Sequence, residues 1–311
     1  MKDQIKKINL NHSFIFFLLC NIFSIITFKI KSFIISPLIC LLLILSIGVS
    51  HGSLDNEKGR KLFQIFGINN FFIFYLSYIF ISLIIIILWV ILPSTSLIIF
   101  FFLFSYHFGK EDTQFLIIRN SYFNQLLFFL KGSLIILAPM YFHFDETISI
   151  FKFLLIDNES FYKFLDLIET NKILLYGIIL STLSSIILFT KNFELKKFTI
   201  FLDFFSILVI NYYFSPLVAF TIYFCFLHSV RHSVSLMFEL DKNDLNNGLK
   251  IFTKKAFPLT ILTAIFCFVG LYLLNNTYNF DSSILKIIFI GLASLTFPHI
   301  LLEYLIEKNE K

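Results

Sequence analysis

Long apolar runs repeat along this chain of 311 residues from one end to the other. Runs of roughly 17–25 apolar residues are long enough to cross the hydrocarbon core of a membrane as helices. Hydrophobic residues make up 58% of the chain and charged residues 14%, whereas soluble domains carry about 25% charged residues. The short alternating segments of a membrane β-barrel are absent. The sequence therefore predicts an all-α fold, a polytopic transmembrane helical bundle with about ten spans, or eight in the alternative count.

The expected spans cover roughly 13–28, 33–49, 71–92, 93–112, 124–141, 174–190, 198–213, 216–240, 257–274 and 285–306. Polar residues interrupt the segment 144–170, which favours short interfacial helices there. No repeat, linker or soluble domain separates the runs, so residues 1–311 are expected to form a single integral-membrane domain. Lysine and arginine are more numerous in the loops on the side of the N-terminus. The positive-inside rule then predicts a multi-pass protein of the inner (plasma) membrane with both termini in the cytoplasm.

Five histidines occupy special positions in this span pattern. His228 and His232 are one turn apart on one face of a helix, where two imidazoles can bind one metal ion. His51, His107 and His299 lie at or near the ends of three other spans. All four spans run toward the cytoplasm, so the five side chains are expected at similar depths. Ionisable groups inside a membrane are costly and mark functional sites, which favours a metal site over five unrelated packing residues.

Acidic residues follow three of these histidines by about one helical turn. The acids are Asp55, Glu111, Asp112 and Glu303. Carboxylates commonly accept the second N–H of a metal-bound imidazole, and Arg231 can pair with one of these acids inside the bundle. Alternatively, Asp55, Glu111 and Asp112 are solvated or helix-end charges, an interpretation that is at least as good for Glu111. Imidazole ligands without a ligand cysteine suit Fe(II), zinc, copper or nickel, and an open position can bind O₂.

The four histidine motifs together resemble those of a known family. The motifs are His51-Gly52-Ser53-Leu54-Asp55, Tyr106-His107-Phe108-Gly109 with Asp112, His228-Ser229-Val230-Arg231-His232, and Pro298-His299-Ile300-Leu301. They are similar in type, order and separation to the motifs of the bacterial and archaeal β-carotene 15,15′-dioxygenases, relatives of the bacteriorhodopsin-related protein family. The resemblance covers residues 48–303, and its specificity comes from the four motifs in combination.

This resemblance implies a membrane enzyme that uses non-haem Fe(II) and O₂. Its reaction would cleave the central 15,15′ double bond of β-carotene, a substrate taken from the lipid bilayer, into two molecules of all-trans-retinal. The retinal could indirectly supply a rhodopsin. Carried over by motif, the iron ligands would be His51, His107, His228 and His232, with no further catalytic residue. The residues that line or support the site would be Asp55, Asp112, Arg231, His299 and Glu303.

Other classes of protein remain open at this point. A membrane carotenoid or retinal carrier, or a metal transporter, would bind through the same histidines without turnover. A bis-histidine haem or quinone protein would need only pairs of axial ligands, and a di-iron desaturase would need about eight clustered histidines. A metalloprotease would have glutamate after the first histidine of the pair, where this chain has Ser229. The net charge of +5 comes from lysines that flank the spans, and nothing in it suggests nucleic acid.

Overall fold

A computed structural model of the chain describes residues 2–29, 35–68, 70–117, 121–191 and 193–309, with the side chains of residues 2, 3 and 51 outside the description. Every regular element in these residues is a helix. Peptide groups in lipid have no water to bond with, so an apolar run must satisfy them within its own helix. The predicted all-α membrane bundle is confirmed.

Fifteen α-helices are present in the described residues. They are α1 (Lys2–Lys29), α2 (Pro37–Leu43), α3 (Asp55–Ile65), α4 (Phe72–Ile91), α5 (Pro93–Glu111), α6 (Tyr122–Gly132), α7 (Leu134–Phe142), α8 (Phe144–Phe153), α9 (Glu159–Thr170), α10 (Ile173–Thr190), α11 (Thr199–Tyr213), α12 (Pro216–Ile222), α13 (Val230–Leu240), α14 (Leu245–Leu274) and α15 (Phe280–Asn309). Two π-helical turns, Ile44–Gly48 and Tyr223–Ser229, and a 3₁₀ helix, Val49–Leu54, lie between them.

Seven helices of the described residues are long and apolar enough to cross a membrane, judged by length and composition. They are α1, α4, α6 with α7, α10, α12 with α13, α14 and α15. A pair bent by 42°, Pro37–Gly48 with Gly52–Ile65, would make eight. The described parts of all ten expected spans are mainly helical, but α5 begins and ends in polar residues and α11 has only 15 residues. By this criterion the described residues hold seven candidate spans, or eight with the bent pair, which is fewer than the ten of the main prediction.

Capping residues explain where several helices begin. Pro93 takes the first position of α5 directly after α4 ends, a position where its missing N–H removes no helical hydrogen bond. Ser121 accepts a hydrogen bond from the Asn124 N–H at the start of α6. Asn158 accepts one from the Phe161 N–H at the start of α9. The segment expected to be interfacial accordingly forms two short helices, α8 and α9, in place of a span.

The helix Pro216–Leu240 lies at the centre of the bundle. In its most apolar stretch 72% of the residues are buried, compared with 11% in α4 and 6% in α14. Its π-turn packs against the π-turn Ile44–Gly48, and the Ser229 Oγ donates a hydrogen bond to the Gly48 carbonyl at 3.2 Å. A Cβ atom at Gly48 would lie 2.5 Å from the Phe224 ring, so this close approach needs glycine. The two π-turns meet beside the histidines.

Candidate metal centre

Four imidazole rings from three parts of the chain meet inside the bundle. His107 comes from α5, His228 and His232 from the π-turn and α13, and His299 from α15, and all four are buried. The His107 ring centroid lies 5.6 Å from that of His228 and 5.5 Å from that of His299. The His232 centroid lies 6.5 Å from that of His228 and 5.9 Å from that of His299. The structure thus brings together four of the five histidines singled out in the sequence.

The fifth histidine of the motifs, His51, has its backbone in the 3₁₀ helix Val49–Leu54. Its side chain lies outside the described part of the structure. Its assignment as a metal ligand therefore stays a prediction.

Three of the four imidazoles have a carboxylate at Nδ1. The pairs are His228 with Asp112 at 3.2 Å, His232 with Glu111 at 3.1 Å, and His299 with Asp55 at 2.8 Å. An ionised carboxylate only accepts hydrogen bonds, so it selects the tautomer with the proton on Nδ1. The lone pair is then on Nε2, the arrangement that carboxylates impose on metal-binding histidines.

Two tyrosines hold two of these carboxylates from the other side. The Tyr223 hydroxyl donates to Asp112 Oδ2 at 2.7 Å, and the Tyr78 hydroxyl donates to Asp55 Oδ2 at 2.9 Å. Tyr223 and His228 are five residues apart, a spacing that a regular α-helix places on different faces. The π-turn hydrogen-bonds residue i to residue i+5, and the two rings stack with centroids 6.3 Å apart. The π-turn therefore allows both side chains to reach Asp112.

Glu303, one turn after His299 on α15, extends toward three of the imidazoles. Its carboxylate oxygens lie 3.6 Å from His299 Nε2, 3.9 Å from His107 Nδ1 and 4.0 Å from His232 Nε2. Lys58 of α3 donates to the same carboxylate at 2.9 Å. Two groups of side chains therefore have ligand atoms within 4.8 Å of one another and could hold a metal ion. These groups are His107 with His299 and Glu303, and Glu111 with His232 and Glu303.

Arg231 lies beside the centre but is paired elsewhere. Its guanidinium donates to both carboxylate oxygens of Asp203 on α11, at 2.7 and 3.1 Å. It also donates to the Asp112 carbonyl at 3.2 Å and to the Ser13 hydroxyl at 2.8 Å. The expectation that Arg231 pairs with one of the motif acids is wrong, because those acids are occupied by histidines, tyrosines or Lys58. Through Asp203 and Ser13, Arg231 joins α11 and α1 to the helix that carries the histidines.

Acidic groups outnumber cationic groups around the histidines. Within the described residues the acids of this region are Asp55, Glu111, Asp112, Asp203 and Glu303, and the cations are Lys58, Lys131 and Arg231. Burying uncompensated carboxylates in an apolar interior is expensive. With the imidazoles neutral, as metal ligands must be, two further positive charges would balance the five acids against the three cations, and one divalent cation supplies both. The donor set and its charge therefore fit a metal ion.

A cavity of about 160 Å³ adjoins the imidazoles. His107, His228 and His299 line its inner part, and Ile79 of α4 with Leu259 of α14 line it farther out. Ile79 is 56% exposed on the outer face of the bundle, so the cavity extends from the histidines to the apolar outer surface. Most of the remaining lining is apolar or aromatic, as expected for a site that binds a lipophilic molecule.

Fold and site together define a class, a multi-pass helical membrane protein with a buried centre of imidazoles and carboxylates that can hold a metal ion. The family model for β-carotene 15,15′-dioxygenase matches residues 42–307. The chain belongs to this family. A β-carotene 15,15′-dioxygenase from an uncultured marine bacterium, 66A03, is 26% identical over 274 residues, which are 84% of this chain and 90% of that protein. No solved structure is recognisably similar to the chain.

The sequence did not predict the role of several residues of the centre. Glu111 is not a solvated charge, because its side chain is 10% exposed and contacts His232. Lys58 follows Asp55 by three residues, a helical spacing that could have suggested a shared site. Asp203 is an acid inside an apolar run, which is itself a signal of function or pairing. No sequence pattern singles out Tyr78 from the other tyrosines of the chain.

Proposed function

We propose that this chain cleaves the central 15,15′ double bond of β-carotene with O₂ to give two molecules of all-trans-retinal. Each product aldehyde takes one carbon of the broken double bond, so one β-carotene and one O₂ balance two retinals. The observation that carries the proposal is the set of four buried imidazoles, three of them oriented by carboxylates, on the wall of a cavity that reaches the bundle surface. Membership in the dioxygenase family supports the same reaction.

The proposed cofactor is Fe(II), which imidazole and carboxylate donors suit. The proposed ligands are His51, His107, His228 and His232. His299 and Glu303 also have donor atoms near those of His107, so they support the bound ion or complete its ligand set. When bound, iron would supply the activation of O₂ that the side chains of this chain cannot provide.

The roles of the other residues follow from their contacts. Asp112 and Glu111 orient His228 and His232, and Asp55 orients His299. Phe108 and Phe224 line the cavity beside His107 and His228, where they hold a polyene against the centre and exclude water. The reaction needs no general acid or base, and the protein contributes position and a dry environment.

β-Carotene partitions into the bilayer, so we propose that it enters sideways between α4 and α14. These two helices are the least buried of the candidate spans, and residues of both line the cavity. Basic loops support an orientation with both termini in the cytoplasm, and the proposed location is the inner membrane. Residues 1–311 would form one domain around the centre. Reporter fusions at the termini and in the 241–244 loop test this orientation, which predicts all three on the cytoplasmic side.

The first test of the function uses bacterial cells that accumulate β-carotene. The parent chain, His228→Ala and His143→Ala are expressed to equal levels, and carotenoid and retinal are extracted and quantified. The parent and His143→Ala are expected to lose β-carotene and form retinal, because His143 lies outside the cluster. His228→Ala is expected to retain the carotenoid. Iron bound per purified chain is measured in parallel, since ligand removal should lower it in His228→Ala alone.

Different results identify the competing functions. Unchanged β-carotene in membranes that hold the parent chain with bound iron would contradict the proposed reaction. Carotenoid that copurifies intact with the parent would instead indicate a carrier. Cleavage by His228→Ala at the parent rate would show that the imidazole cluster is not the reactive centre.

A further inference from the structure

A second cavity, of about 70 Å³, lies deeper along the same helices. Leu97 of α5, Ile136 of α7, Phe151 of α8 and Pro216 of α12 are among its walls. Thr147 also lines it, but the Thr147 hydroxyl is bonded to the carbonyls of Pro139 and His143. The cavity therefore presents almost only apolar surface, and nothing in the proposed mechanism so far uses it.

Four phenylalanines separate the two cavities. Phe108 and Phe224 line the first cavity, whereas Phe104 and Phe220, one turn earlier on the same two helices, line the second. The rings contact in sequence: centroids of Phe104 and Phe108 lie 3.8 Å apart, those of Phe104 and Phe220 6.0 Å, and those of Phe220 and Phe224 5.5 Å. These ring contacts form a partition of side chains between the two cavities, and rotation of the rings would join them.

The imidazoles lie directly on this partition. The His228 ring centroid is 4.3 Å from that of Phe108 and 6.0 Å from that of Phe224. A double bond held at the centre is therefore at the inner end of the first cavity, next to the phenylalanines. Past the partition, the second cavity offers space for the part of the substrate beyond that bond.

Central cleavage requires equal halves of the polyene on the two sides of the reacting bond. One half fits toward the outer opening of the first cavity, between α4 and α14. The other half needs an apolar space that continues inward. From His228 to Pro216, twelve residues at 1.5 Å per residue give about 18 Å along the helix, so the second cavity extends well past the centre.

We propose that the second cavity is the binding subsite for the distal half of the carotenoid, with Phe104, Phe108, Phe220 and Phe224 turning aside to admit it. This subsite rests on the proposed function. With this subsite, the enzyme selects an extended apolar polyene by the length of the chain on each side of the reacting double bond. The chemical class of ligand is a hydrocarbon chain with a terminal ring and no charged group.

The test blocks the subsite and compares two substrates. Leu97→Trp and Ile136→Trp, on different helices, each add bulk to the second cavity, and Leu83→Trp is the matched control on the exposed face of α4. Each purified protein, with its iron content measured, receives β-carotene or a shortened polyene aldehyde. The shortened substrate keeps one ring and the central double bond but lacks most of the other half.

Both blocking variants are expected to cleave β-carotene about tenfold more slowly or worse, because even one methylene of apolar pocket contact is worth about tenfold or more in rate. Their rate on the shortened aldehyde should stay within about twofold of the parent rate, because its truncated side does not reach the second cavity. Leu83→Trp should match the parent on both substrates. Equal loss on both substrates in iron-loaded variants, or no loss on β-carotene, overturns the subsite. A parent chain that cleaves neither substrate refutes the proposed function and the subsite together, and so differs from the first two results.

Discussion

The contact between Asp112 and His228 gives the sharpest test of how the centre is held. Asp112 is 2% exposed, and its two oxygens contact His228 Nδ1 and the Tyr223 hydroxyl. Asp112→Asn keeps the size of the side chain and removes its charge. Changes to such supporting groups commonly lower metal affinity or activity about 10–100-fold, which corresponds to about 1.4–2.8 kcal/mol.

The amide of Asp112→Asn also reverses the direction of the hydrogen bond between residue 112 and His228 Nδ1. While the Tyr223 hydroxyl donates to the amide oxygen, the amide nitrogen must face His228 Nδ1. That nitrogen carries hydrogens and only donates, so Nδ1 has to accept and the imidazole proton moves to Nε2. The Nε2 lone pair is then lost from the centre. Adding Tyr223→Phe removes the hydroxyl that fixes the amide, which can turn its oxygen toward Nδ1 and restore the original tautomer.

The assay measures iron per purified chain and the initial rate of retinal formation. Asp112→Asn should lower both, and the double variant Asp112→Asn with Tyr223→Phe should recover a substantial part of each. Asp166→Asn, an exposed acid on α9, is the control and should resemble the parent. If the double variant is worse than Asp112→Asn by the full effect of Tyr223→Phe alone, the tautomer argument fails. If Asp112→Asn has the parent's iron content and rate, the contact is merely structural.

Three further changes test other parts of the site. A Cβ atom at Gly52, which lines the first cavity, would meet no described atom within 4 Å. Gly52→Leu should therefore slow β-carotene cleavage about tenfold without loss of iron. Gly291 is equally open but lies outside both cavities, so Gly291→Leu should leave the rate unchanged. Arg231→Leu leaves Asp203 buried without its bidentate partner, a loss worth about 3–5 kcal/mol. It should lower the temperature of thermal inactivation, with partial recovery when Asp203→Leu is added. Glu303→Gln should lower iron content, because the side chain that lies within 4.0 Å of three imidazoles loses its charge. An unchanged iron content would place Glu303 outside the ligand environment.

The overall architecture was predictable because it follows from the hydropathy of successive residues along the chain. A run of about twenty apolar residues must form a helix in lipid whatever its neighbours are. Breakers such as Pro93 and Pro216 mark helix starts for similarly local reasons. The placement of His228 and His232 on one face of a helix is also a local feature, since it needs only one helical turn. These features depend on nearby residues alone and can therefore be read from the sequence.

The pairing of acids with histidines was not predictable in the same way. Sequence spacing places Asp55 near His51, yet the structure pairs Asp55 with His299 of α15. Asp112 likewise contacts His228 of another helix, although it follows His107 in the chain. Each pair joins helices far apart in sequence, so it depends on how the bundle packs. The π-turn that brings Tyr223 and His228 to the same acid is a packing feature too, and periodicity gives no sign of it.

The surroundings of the centre also distinguish among the functions that the histidines alone left open. An axial haem pair needs two opposed imidazoles, whereas four rings cluster here with neighbouring centroids 5.5 to 6.5 Å apart, and Glu303 lies near three of them. A metal transporter needs a hydrated route to its site, because an ion in an apolar passage loses its solvation. In the described residues, the second cavity is lined almost entirely by apolar side chains, and apolar surface also predominates in the first, although Thr260 and Thr263 of α14 contribute to its wall. A donor set with excess negative charge and apolar access suits the oxidation of a lipophilic polyene at a bound cation.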